Sequence, residues 1–473
     1  MTVTVVSPPV TGRRRLAGWP LAATVLAGQA MASLDTAIVN VGGPRIQQDL
    51  HLSSAGLQIA VYAYLLVYAA GLVTGARLGH RYGFGRVFVC GTAVFTAASL
   101  ACGLAVTPAM LVTARTLQGL GAAMLVPQVL SLLQTAFAGE RRRRALSLYG
   151  VVLAVGVAAG QVLGGILISA DLFGTGWRPI FLVNVPVGIA VLSLAAGRLP
   201  AGTRRAEGSL DLAGAALLAA AMAGLLVPVT FGGDAGWPPW CWPVLAAGAA
   251  VLAGFGIHLH RLASTGGQPL IDPALLSQPG IGVGLAGVSV LMGCYGGLLF
   301  TIALYLQETL HDSPLRSGLT FAAYAAGFAA ASLTWTRLPD AWRDRFPACG
   351  FAAVTAGTGL LALATGHTGW LPAATLLLAV AGAGHGSGFG ALVQRTAAVV
   401  PSQHAAAFSG ILSTASQLAI AVGIAATATI YQTAHLSWLP AISLTLLTLA
   451  TIQAITAAVV AVALKPRPAV VSG

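Results

Sequence analysis

Apolar runs of membrane-spanning length recur from one end of this chain to the other, and that recurrence restricts the fold more than any other feature. Fourteen are visible, at roughly 18–41, 54–76, 87–106, 109–134, 146–169, 179–197, 211–231, 242–261, 281–307, 316–337, 347–366, 369–394, 405–430 and 439–464. A helix rises about 1.5 Å per residue, so about 20 residues cross a hydrocarbon core about 30 Å thick. Within a bilayer every backbone polar group must find its partner inside the protein, which leaves only helices and closed barrels. The runs lack the two-residue alternation of barrel strands and therefore read as helices. Charged residues make up 8% of the chain, against about 25% in a soluble domain. That is too little to cover a water-facing surface, and the expectation is an all-α integral membrane protein.

The net charge of +12 does not point to nucleic acid, because the basic residues fall in short clusters between the apolar runs. With the N-terminus on the cytoplasmic side, 20 basic residues fall in cytoplasmic segments, among them Arg13–Arg15, Arg141–Arg144, Arg204 and Arg205. Only three, Arg45, Arg178 and Arg316, fall outside, and Arg115 lies within a span. This asymmetry is how membrane topology is encoded, and it predicts both termini in the cytoplasm. Arg13–Arg15 before an apolar run resembles a secretion signal, but no small-residue cleavage site follows, so the first span reads as a retained anchor. The longest cytoplasmic linkers, about 198–210 and 262–280, bracket two bland spans. They suggest six helices in 1–197, a linker with two extra helices in 198–280, and six more in 281–473.

No GxxxxGK[ST] stretch is present, and the single lysine is Lys465, so nucleotide hydrolysis is excluded as an energy source. There is no HExxH, no GxSxG and no metal-spaced His/Cys cluster, and the five cysteines are isolated, which argues against an enzyme, a metal site and a disulfide framework. Coupling must then come from an ion gradient, with no bound cofactor. Asp35, in "SLDTAIVNVGGP", is the one acidic residue clearly inside a span, and Arg115 is its basic counterpart. Counted from the outer ends of spans 1 and 4, both lie roughly 9–10 Å deep, so the two can meet. An ionisable residue there costs about 2.5–3.5 kcal/mol on insertion scales and normally faces a partner or a cavity. Two readings stay open: a structural ion pair that fixes packing, and a protonation site. Gln29, Tyr62, Gln118, Gln128, Gln161, Tyr295, Tyr324, His385 and Gln417 are the other polar residues in spans. Singly each reads as an interhelical hydrogen bond; together they suggest a substrate cavity with aromatic walls.

These residues resemble the major facilitator superfamily, specifically its fourteen-span drug:proton antiporters. "LDTAIVNVGGP" is similar to the family's span-1 motif with its membrane-embedded acid, and "ARTLQGLGAAMLVPQ" (114–128) to the span-4 motif, whose arginine matches Arg115 and is associated with proton transfer. "WRPIFLVNVPVG" (177–188) and "FSGILSTASQLAIAVG" (408–423) resemble further family signatures. "GARLGHRYGFGR" resembles the gating motif after span 2, carried here by Arg77, Gly79, His80, Arg81, Gly83 and Arg86. His80 stands where the family has an aspartate that helps lock the inward-closed arrangement, so normal gating is in question. "GVAAGQVLGG" resembles the antiporter motif of span 5, with Gly160–Gln161 in place of a glycine-proline pair. Gly156, Gly160 and Gly164 recur every four residues, with Gly165 beside them, and allow close helix approach.

The resemblance implies a major facilitator fold with 14 transmembrane helices (6+2+6), rocking about a central site near the membrane midplane. It implies export of lipophilic, in some cases cationic, drugs or antibiotics against protons, by a monomer in a bacterial cell membrane. The expected partners are the bilayer, a small-molecule substrate and protons, with no nucleotide. Proton-linked uptake of a metabolite and a non-transporting sensor are the rivals.

Overall fold

The computed structural model describes residues 16–52, 54–171, 174–200, 211–232, 236–267, 269–278, 280–312, 314–334, 346–365, 370, 372–400, 405–434 and 440–463. Arg13–Arg15, Arg204, Arg205, Arg337, Arg343, Arg345, Lys465 and Arg467 lie outside the described residues, as does the side chain of Gln161.

All regular structure among the described residues is helical. The first part holds α1 (Gly18–Asp49), α2 (Ser54–Tyr82), α3 (Phe84–Gly103), α4 (Pro108–Ala136), α5 (Gly139–Ala170) and the short pair α6 (Pro179–Leu182) and α7 (Asn184–Ala195). Then come α8 (Leu212–Gly232), α9 (Cys241–Ser264) and the single turn α10 (Pro273–Leu276). The last part holds α11 (Ile281–Leu304), a π-helical turn (Tyr305–Thr309), α12 (Pro314–Thr334), α13 (Phe346–Thr365), α14 (Pro372–Ala398), α15 (Ala405–Thr433) and α16 (Ala441–Ala463). Ten of the described helical segments are long and apolar enough to cross a membrane, and Pro179–Ala195, Ala213–Pro228 and Leu319–Thr334 are shorter apolar stretches.

Local chemistry sets the boundaries. Thr107 caps α4 by accepting from the Met110 amide at 3.2 Å, with Pro108 as the first helical residue. Gly83 turns the chain from α2 into α3 at φ 96°, a conformation that a side chain would strain. Pro186 cannot donate back to the carbonyl of Leu182, and helix α6 gives way to α7 at Val183, between them. α1 runs past the apolar stretch that announced it and continues to Asp49.

Helix α4 packs on α2 and α3, and α1 on α5. α14 packs on α12 and α13, and α11 on α15. One close approach occurs twice: a Cβ on Gly119 would meet the Tyr64 carbonyl at 2.5 Å, and one on Gly382 the Tyr324 carbonyl at 2.1 Å. Gly121 abuts the Phe95 amide and Gly384 the Val354 amide in the same way, so the α2–α3–α4 packing is repeated by α12–α13–α14. The two parts meet along α5 against α12 and α2 against α15, while α8 pairs with α9 and touches both α2 and α15. The end of the molecule where α2 turns into α3 and α4 into α5 is rich in arginine. Near that end Ser147 donates to the Ser332 carbonyl across the seam, and at the middle of α2 Thr414 donates to the Ala69 carbonyl. Ala69 and Val73 belong to a buried apolar cluster that also holds Phe408, Ile411 and Leu412.

Candidate functional site

Asp35 lies on α1 with no exposed surface, and Arg115 on α4 is 1% exposed. They do meet: Nη1 of Arg115 donates to Oδ2 of Asp35 at 2.6 Å. The same nitrogen donates to Oε1 of Gln118, one turn further along α4, at 2.7 Å. Gln118 turns its amide nitrogen the other way, to Oδ1 of Asp35 at 2.8 Å and to Ser99 Oγ on α3 at 2.7 Å. Asn184, the first residue of α7, supplies another donor to Oδ1 at 2.9 Å. The carboxylate therefore accepts from three side chains borne on two helices, while the guanidinium carbon sits 4.3 Å from the centre of the Tyr64 ring on α2. Cation–π stacking adds to the ion pair at low polarity. Arg115 Nε is buried without a hydrogen-bond partner, and so has spare donor capacity.

The stretch 177–188 secures the Asp49 end of α1 at a second point. Trp177 Nε1 donates to Asp49 Oδ2 at 3.0 Å and Arg178 Nη1 to the same oxygen at 2.9 Å. The Trp177 hydrogen bond is the largest influence on the Asp49 carboxyl and, with Arg178, holds it below its ordinary 3.8.

The other expected residues separate into three settings. Gln128 is fully buried and ties α4 to α2, donating to the Gly75 carbonyl at 2.7 Å, and Gly79 has no room for a side chain because Gln128 Oε1 fills it. Gln29 is likewise buried and donates to Ser33 within α1. Gly156 and Gly160 do let α5 approach α1: a Cβ would meet Ser33 Cβ at 2.6 Å in one case and the Leu34 carbonyl at 2.4 Å in the other. Gly164 and Gly165 are buried further along α5. His80 sets its ring edge against Phe84, with centroids 5.2 Å apart, and Arg81 and Arg86 are exposed. Arg77 donates to the Leu270 carbonyl at 3.0 Å.

A third group is aromatic. His385 on α14 is 2% exposed and bonds through Nδ1 to the Tyr324 hydroxyl. The rings of Tyr295, Phe328 and Phe389 surround it, and its Nε2 is buried with no hydrogen-bond partner. Tyr62 meets Phe231 of α8 edge-on at 6.0 Å, and Gln417 is half-buried on α15. The expected cavity residues are thus not one constellation. Gln118 and Gln128 serve the first part's interior, while Tyr295, Tyr324 and His385 form a unit of the last part.

Asn184, Ser99, Tyr64 and Asp49 were not singled out from the sequence. Asn184 carried a readable signal, an amide inside an apolar run just before a proline. Ser99 and Tyr64 carried none, since both are ordinary inside a transmembrane helix.

Apolar helices packed along a seam, with an ion pair sealed inside one part, define a multi-pass membrane protein. Residues 25–263 and 285–472 match the Major Facilitator Superfamily, and the chain belongs to that superfamily. Its relatives are transporters, not enzymes. It is 35% identical to the probable actinorhodin transporter of Streptomyces coelicolor, over 90% of this chain and 74% of that one. It is 34% identical to the drug efflux pump JefA of Mycobacterium tuberculosis, over 89% and 81%. With the cephamycin export protein CmcT of Amycolatopsis lactamdurans identity is 38%, over 67% of this chain and 65% of that one. Among solved structures, the proton:xylose symporter XylE shares the fold at a TM-score of 0.65 and 13% identity, covering 95% of this chain and 96% of that one.

Proposed function

We propose that this chain is a proton-coupled exporter of lipophilic drugs or antibiotics, cations included, working by alternating access as a monomer in a bacterial cell membrane. The ion pair between Asp35 and Arg115, at 2.6 Å and with side chains 0% and 2% exposed, carries the reading. Ionisable residues at membrane depth are costly and mark proton or substrate pathways. The relatives support export, being named for actinorhodin, cephamycin and drug efflux. Their different names favour a substrate class over a single compound.

The topology we infer has fourteen spans in a 6+2+6 order with both termini cytoplasmic. It rests on the 20-to-3 distribution of basic residues and on α5, which with the three shorter apolar stretches adds to the ten long helices. Residues 1–197 and 281–473 then form the two bundles, and α8 and α9 an inserted pair.

A cytoplasm-open form loads substrate between the bundles. Outside, Asp35 takes a proton as substrate leaves; inside, it loses it. Because Asp35 is sealed among Arg115, Gln118 and Asn184, proton and substrate do not share contacts in the conformation described. Coupling runs through the network: a protonated Asp35 no longer attracts Arg115, and α1, α4 and α7 lose the charge that draws them together.

Transport in inside-out vesicles, with a fluorescent lipophilic cation and an imposed proton gradient, tests this. Accumulation that follows the gradient and disappears in Asp35→Asn supports the reading. Accumulation indifferent to the gradient overturns proton coupling, and equal accumulation by both proteins reduces Asp35 to a packing residue.

A further inference from the structure

Alternating access of two bundles gives the inserted pair α8 and α9 no task, and Arg77, in the stretch that resembles a gating motif, reaches away from its own bundle to Leu270. Both matters meet at Asp211. This residue caps α8, with Oδ1 accepting from the Gly214 amide at 2.8 Å. A Cβ on Gly214 would lie 2.3 Å from Oδ2, so the carboxylate packs closely over the first turn of α8. Capping aspartates ordinarily face water, but Asp211 is only 7% exposed and holds two more partners. His258 Nε2, near the end of α9, lies 2.8 Å from Oδ1, and the Leu270 amide donates to Oδ2 at 2.8 Å. Burial works against the charge, yet the His258 contact and the backbone donors of Gly214 and Leu270 outweigh it and hold the carboxyl below its ordinary 3.8.

Leu270 is gripped from its other side as well, by Arg77 at the foot of α2. A chain of contacts thus runs from α9 through Asp211 and Leu270 to the gating motif. The strap that carries Leu270 is anchored by its own side chains. Leu270, Ile271 and Leu275 are 1%, 8% and 1% exposed, and they join the apolar cluster that includes Ala69 and Val73 of α2 and Phe408 and Ile411 of α15. α8 itself lies against α2 and α15, one of the two helix pairs that form the seam. For the arginine-rich end to open, α2 must part from α15, and Arg77 must then give up Leu270 or drag the strap with it.

We propose that Asp211, His258 and the Leu270 strap form a clamp that holds the arginine-rich end closed, acting through Arg77. The inserted pair is then part of the gate and not a passive connector. The clamp rests on the transporter reading only in treating this end as a gate, and it can be measured without transport.

The test uses the full chain in membranes, with the five native cysteines replaced by serine or alanine. Ser147→Cys with Ser332→Cys reports closure through disulfide cross-linking by copper phenanthroline, since those two residues touch across the seam. Asp211→Asn keeps one acceptor for the α8 cap but loses the second oxygen and the charge. Losing a hydrogen bond to a charged group shifts such an equilibrium about tenfold or more, so cross-linking should fall steeply. Arg77→Gln should lower it equally and serves if Asp211→Asn is poorly recovered. Asp272→Asn should match the parent, because Asp272 caps α10 through the Ala274 amide in the same strap. Cross-linking unchanged in Asp211→Asn and Arg77→Gln, or lost equally in Asp272→Asn, overturns the clamp. Dye transport by the parent in the same vesicles separates the two ideas: a chain that moves no dye yet cross-links in an Asp211-dependent way keeps the clamp and loses the exporter reading.

Discussion

Asn184 donates its side-chain amide to Oδ1 of Asp35 across 149 positions of sequence, at 2.9 Å. The bond is made where α6 gives way to α7, which places an amide nitrogen where an unbroken apolar span would offer only hydrocarbon. It also completes the carboxylate's acceptor set beside Arg115 and Gln118.

Replacing Asn184 by leucine removes a donor to a charged group, worth about 1.5–3 kcal/mol. With that bond gone the buried carboxylate is left with Arg115 and Gln118 alone, so gradient-driven dye transport should fall about tenfold or more. Asn184→Asp should damage transport more, by setting a second acid against Asp35. Initial rates of dye transport in vesicles read both. An unchanged rate in Asn184→Leu removes Asn184 from the coupling site.

Single and double replacements of the ion pair should behave differently. Asp35→Asn strands a buried guanidinium, a loss of about 3–5 kcal/mol for a broken buried pair. Asp35→Asn combined with Arg115→Gln removes both charges and should recover more than half of that in a thermal-unfolding assay in detergent. Neither protein should transport against a gradient. Recovery of stability without recovery of transport shows that the pair does more than hold the helices.

Gly160 sets the spacing of α1 and α5. A Cβ there would sit 2.4 Å from the Leu34 carbonyl, so Gly160→Val forces the helices apart. Overpacking of this kind costs about 1–3 kcal/mol. Gly150, whose Cβ would meet nothing within 4 Å, is the matched control on the same helix. Thermal unfolding should drop clearly for Gly160→Val and far less for Gly150→Val.

The clamp has a defined pH window. The Asp211 carboxyl lies below 3.8 in the folded chain, so its contribution is fully present above that value and is lost as pH falls through the lowered one. Cross-linking of the Ser147→Cys/Ser332→Cys pair, formed at each pH and then quenched, should not loosen between about pH 8 and about pH 5, and should weaken only below about pH 4. Loosening near neutrality places control of this end in another group.

Much of this was readable without coordinates. Membrane residence follows from composition and run length, because the bilayer accepts few alternatives. The meeting of Asp35 and Arg115 was legible from depth alone, since two helices of known direction place their charges at calculable heights. The close approach at Gly156 and Gly160 was legible from a four-residue spacing.

What the sequence could not reveal are contacts that depend on which helix faces which. It grouped Gln128 with Tyr295 and His385 as one cavity, though Gln128 ties α4 to α2 and His385 belongs to an aromatic cluster around α14. It showed 262–280 only as a linker, though Leu270 is held there between Asp211 and Arg77. Hydrophobic length and charge position act along one dimension, the membrane normal, and a sequence records that dimension directly. Azimuth, the direction in which a side chain leaves its helix, is settled only when neighbouring helices pack. The sequence by itself determined that this chain crosses the membrane many times and which residues put charge inside its spans; the tertiary structure alone decided which partners those charges meet.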